Sequence, residues 1–82
     1  MSRLKTVGIN PITGNPVDIF YGFDEVPGFI PGYFFQVYSR DPEFIKNSPD
    51  GEGIIINEGF INGITIGRLK ELAKSWGCRI SV

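Results

Sequence analysis

The stretch Phe20 to Tyr38, FYGFDEVPGFIPGYFFQVY, decides the fold. It holds eight of the chain's eleven aromatic residues: Phe20, Tyr21, Phe23, Phe29, Tyr33, Phe34, Phe35 and Tyr38. Two β-prone runs are interrupted by Pro27, Gly28, Pro31 and Gly32, so the segment reads as two pairing strands joined by a turn-rich loop. In the first run Val17, Ile19, Tyr21 and Phe23 alternate with Asp18, Phe20 and Gly22, the pattern of a half-buried strand with its apolar face on a core. The second run, Tyr33 to Ser39, places Tyr33, Phe35 and Val37 on one side. Phe34, Gln36 and Tyr38 lie on the other, so neither side is cleanly polar. Each Pro-Gly pair of the intervening loop favours a type II turn and leaves Phe29 and Ile30 at the tip.

The flanks supply the remaining elements. Arg3 to Ile9 alternates weakly as an edge strand, and NPITGNP (10–16) turns it back as a hairpin. Asp41-Pro42-Glu43 has the cap, the helix-starting proline and the first-turn acid of a short helical turn through Ile45. Asn47 to Gly51 ends that turn, and Ile54-Ile55-Ile56 is a fourth strand. Thr65 caps the one amphipathic helix, in which Ile66, Leu69, Leu72, Ala73 and Trp76 share a face while Arg68, Lys70, Glu71 and Lys74 face water. Gly77 ends it, and the alternation of Cys78, Ile80 and Val82 reads as a last strand. The expected fold class is α+β, an antiparallel sheet of four or five strands with one C-terminal helix packed on one face, in a single domain spanning 1–82.

Composition narrows the function classes. At 82 residues there is room for one core, of radius of gyration about 12 Å. Cys78 is the only cysteine and the chain has no His, so an intrachain disulfide is impossible and a zinc site would lack its usual ligands. A small core without a staple favours self-association. The net charge of −1 gives no concentrated positive field for nucleic acid. No apolar run approaches a membrane span, and the start of the chain lacks the apolar stretch of a signal peptide, so a cytoplasmic location is expected.

Candidate chemistry is sparse. Without His, a general base near neutral pH would have to be a carboxylate, lysine or thiolate of strongly shifted pKa. Cys78 sits on an inward face, where a thiol is usually inert. Asp41, Glu43, Asp50 and Glu52 do not follow the spacing of a calcium loop, and the adjacent Asp24 and Glu25 point to opposite sides of an extended chain. Gly59, Gly63 and Gly67 lead into the helix, but match neither phosphate-binding fingerprint. No catalytic residue, metal site or cofactor is therefore expected.

Two rows of aromatics cannot both be covered by one helix. The expectation is a non-enzymatic protein-interaction module, homodimeric or bound to another protein, with Phe29, Ile30, Phe34 and Tyr38 in the contact. The alternative is a small nucleic-acid-binding domain that uses Arg68, Lys70, Lys74 and Arg79.

Overall fold

The computed structural model describes residues 3–82. Four strands, β1 (Leu4–Ile9), β2 (Pro16–Asp24), β3 (Gly32–Ser39) and β4 (Ile54–Glu58), form an antiparallel sheet in the order β1-β2-β3-β4. Every strand pairs with its neighbour in sequence, as the turn chemistry between them dictates. A short helix, α1 (Pro42–Asn47), interrupts the β3–β4 connection, and α2 (Ile66–Ser75) follows β4. The radius of gyration is 12.8 Å.

Register fixes the two faces. Tyr21 stands opposite Phe35 and Ile19 opposite Val37, while Gly22 stands opposite Phe34 and Asp18 opposite Tyr38. The first set meets α2: Val17, Ile19, Tyr21, Phe35 and Val37 pack with Leu69, Leu72 and Ala73 as the core. Between Val37 and Tyr38 the ladder to β4 shifts by one residue, Val37 facing Ile56 and Tyr38 facing Ile54. The extra residue, Ile55, joins Ile56 against the core. All three isoleucines are half-buried, which is how an uninterrupted apolar triplet fits on an edge strand.

The helix ends follow their cap residues. Thr65 accepts a bond from the Arg68 amide, and Trp76 and left-handed Gly77 (φ 59°) close α2. The Trp76 carbonyl accepts from the Ile9 amide, docking the end of α2 on β1. Gly8 makes that approach possible, because a Cβ there would collide with the Trp76 carbonyl and the Ile19 side chain.

Three sequence expectations are corrected. Residues 78–82 do not form a strand. The tail leaves α2 over the inner face of the sheet, with Cys78 beside Gly8 and the Ser81 amide donating to the Tyr21 hydroxyl at 3.2 Å. A chain lying on a face instead of along an edge cannot join the ladder, although Cys78 and Ile80 still pack on the core. The second Pro-Gly pair is not a type II turn. Gly28 has the left-handed φ of 88° and the Phe29 amide bonds Val26 at 3.0 Å, but Gly32 is already extended as the first residue of β3. Finally, Phe23 is 44% exposed instead of lying in the core: its ring packs edge-on with Tyr33, 5.2 Å away, and borders an open hollow with Ile30 and Ile66.

Candidate functional site

The chain builds its most exposed apolar region by stitching two loops together beyond one end of the sheet. One loop is Glu25–Pro31, between β2 and β3; the other is Gly59–Thr65, between β4 and α2. The Gly63 amide donates to the Ile30 carbonyl at 3.0 Å, and the Ile30 amide donates to Asn62 Oδ1 at 3.3 Å. Tyr33 and Ile64 exchange two backbone bonds of 2.9 Å each. Gly32 and Gly63 touch backbone to backbone, so a Cβ on either would strike the other.

Each loop displays a Phe-Ile pair. Exposure is 47% for Phe29, 67% for Ile30, 65% for Phe60 and 54% for Ile61, with Val26, Phe23 and Ile66 also exposed around them. Phe60 and Ile61 were not among the residues singled out from the sequence. A signal was there: Gly28-Phe29-Ile30-Pro31-Gly32 and Gly59-Phe60-Ile61-Asn62-Gly63 are the same pentapeptide but for one position. In both copies the first glycine is left-handed, φ 88° at Gly28 and 79° at Gly59. That backbone state aims the following Phe-Ile pair, and only glycine adopts it without strain.

The sheet face opposite α2 is more finished than its aromatic content implied. Phe34 is only 6% exposed, and Phe20 and Tyr38 are half-buried. Tyr38 packs edge-on against Phe20 at 5.3 Å, and the Arg3 guanidinium lies 4.1 Å above the Phe20 ring. Arg3 also donates to Gln36 Oε1 at 3.1 Å and to the Tyr38 hydroxyl at 3.4 Å. Beside them Asp18 receives Arg40 through bonds of 2.9 and 2.8 Å, with Lys5 at 3.9 Å. Of the four expected contact residues, then, Phe29 and Ile30 stand together at the loop end. Phe34 and Tyr38 lie along the open face, where Phe34 has little surface to offer.

Most of the remaining candidates make local contacts. Arg68 is held by Glu58 through two bonds of 3.1 and 2.9 Å, and that pairing raises its pKa, whereas Lys70, Lys74 and Arg79 are exposed. Asp41 Oδ1 caps α1 through the Glu43 amide. The Asp50 carboxylate gathers the Glu52 amide at 2.7 Å, the Ser48 hydroxyl and the Gly53 and Ile54 amides, which hold it below the usual carboxylate range. Gly59 lies against the Tyr33 carbonyl and Phe34, so it shapes the loop and leaves no phosphate cradle. Burial pushes the Cys78 thiol up, away from a nucleophilic thiolate. Among the described residues no group of three or more Cys, Asp or Glu stands together as a metal site, and no helix is long and apolar enough to cross a membrane. No protein-family model, curated protein or solved structure matches this chain.

Proposed function

We propose that the chain is a non-enzymatic protein-interaction module that self-associates as a homodimer through its paired loops. One observation carries this reading: two loops, bonded to each other, each hold a Phe-Ile pair out of the core. Anchors that are already ordered lose little entropy on docking, which is how a small surface yields useful affinity.

Area supports the same reading. Phe23, Val26, Phe29, Ile30, Phe60, Ile61 and Ile66 range from 37% to 67% exposed. At about 150–250 Å² for each aromatic and somewhat less for each aliphatic chain, they offer on the order of 600 Å² of apolar surface. Phe23, Ile30 and Ile66 border one hollow and Phe60 another, so the area is spread around the loop end; its total approaches the roughly 800 Å² that each partner contributes to a standard interface. The neighbouring charges, Asp24 and Glu25, are acidic and disfavour an anionic membrane as the docking surface.

Sedimentation across a micromolar to millimolar range tests it. The expected mass rises from monomer to dimer, and an Ile30→Ser/Ile61→Ser double variant stays monomeric; both side chains are exposed, so the fold should tolerate the change. A wild-type chain that remains monomeric throughout would overturn self-association. Nucleic-acid binding has less support, since Arg68, the first of the α2 cations, is already paired with Glu58. Titration with single- and double-stranded oligonucleotides at rising salt discriminates, because phosphate contacts weaken as salt is added.

A further inference from the structure

We propose that a cleft on the open face of the sheet, anchored by Asp24, receives an organic ammonium group. The cleft has a volume of about 310 Å³ and is lined by Arg3, Asp24, Phe34, Gln36 and Phe60. Asp24 is the last residue of β2, opposite Gly32, so its side chain projects on the same side of the sheet as Phe34. Its Oδ1 is buried and has no hydrogen-bond partner among the described residues. A buried carboxylate oxygen left without a donor is costly, and a ligand that brings one recovers that cost on binding.

The lining selects the ligand. Phe60, 65% exposed, offers ring surface to a cation, and the small part of Phe34 that reaches the cleft adds apolar wall for its stem. A bare metal ion would find one carboxylate and one amide oxygen, that of Gln36, which already accepts from Arg3, far short of the six or more oxygens a hard cation takes. A neutral donor would satisfy the oxygen but leave the charge unmatched. Among the described residues Arg3 is the one cation lining the cleft, and its guanidinium is engaged elsewhere, over Phe20 and on Gln36 and Tyr38. An ammonium on a short alkyl stem, either a free amine or the side chain of a lysine, meets every one of these features.

The experiment is an amide-resolved NMR titration of the full chain with n-butylammonium and with n-butanol. Saturable shifts centred on Asp24, Phe34 and Phe60 are expected for the amine, with the alcohol bound at least about tenfold more weakly. In Asp24→Asn, which keeps the shape and removes the charge, the preference should vanish while shifts elsewhere stay native. Equal responses to amine and alcohol, an unaltered response in Asp24→Asn, or no saturable response would each overturn the proposal. Capped lysine against capped norleucine then decides the source: binding of capped lysine as tight as the free amine supports a side chain from a partner, and weaker binding supports a small free amine at the same site. Phe60 also belongs to the proposed dimer contact, so the titration is repeated in Ile30→Ser/Ile61→Ser. Binding retained in that variant separates the cleft from self-association, and failure there with a normal dimer in the wild type sinks the cleft alone.

Discussion

Adding a single methyl group at Gly63 should damage this protein, whereas the same methyl at Gly67 should help it. A Cβ at Gly63 would be driven into the backbone of Gly32. Neither side can yield easily, because Tyr33 and Ile64 are locked by two backbone bonds and Gly63 itself donates to Ile30. Overpacking against backbone costs about 1–3 kcal/mol, and losing one loop bond adds about 1 kcal/mol. A total of about 2–4 kcal/mol is a large part of the roughly 4–12 kcal/mol expected for a domain of this length. It corresponds to a fall in Tm of roughly 10–30 °C. Gly67, by contrast, lies in the exposed first turn of α2, where a Cβ meets nothing closer than Thr65 Oγ1 at 3.9 Å. Alanine there removes the entropic handicap of a helical glycine and should add up to about 1 kcal/mol. Thermal and urea unfolding of the two variants read the difference directly. Equal stability of Gly63→Ala and wild type would refute the idea that the loops are clamped.

Further expectations concern single groups. Tyr21→Phe removes the acceptor of the Ser81 amide and should cost about 0.5–1.5 kcal/mol, with faster amide exchange at Ser81 as the local signature. The Asp50 carboxylate titrates below its unfolded value, so the stability it contributes is complete above the ordinary aspartate range near pH 4 and is lost as pH falls through the lower folded value. Asp50→Asn should accordingly flatten the acid limb of the stability profile, and an unchanged limb would remove Asp50 from the account. Cys78, with its thiol pKa raised by burial, should react with a disulfide reagent more slowly than a free thiol at neutral pH; a rate equal to that of free cysteine would contradict its packing on the core.

Much of the sheet was legible because its code is local. Alternation in Val17–Phe23 and Tyr33–Ser39 assigned the faces of β2 and β3 with only Phe23 misplaced, and the Thr65 and Gly77 caps set α2 to within a residue. What escaped was decided by contacts distant in sequence. Gly32 reads as a turn glycine until Gly63, thirty-one positions away, is known to press on it. The tail alternates like a strand, yet it crosses the inner face, from Cys78 beside Gly8 to Ser81 on the Tyr21 hydroxyl, and pairs with no strand. Phe60 and Ile61 stand between glycines that read as turn formers; the repeated Gly-Phe-Ile pentapeptide is their one local clue, and the bond from Ile30 to Asn62 that joins the two loops is distant in sequence. The burial of Phe34 was likewise beyond a reading of alternation, because Gly59 and Phe60, from the loop after β4, lie beside it.

The order in which the core is completed has a cost during synthesis. All four strands precede α2, and Leu69, Leu72 and Ala73 are the residues that roof Ile19, Phe35 and Val37. Until those residues emerge from the ribosome, a nascent meander carries a bare aliphatic and aromatic floor, the kind of surface on which growing chains stick to one another. Messages cut short before the codons for the last helix would therefore yield aggregates instead of a weakened but soluble sheet, and slow translation through the final third would lengthen the time at risk.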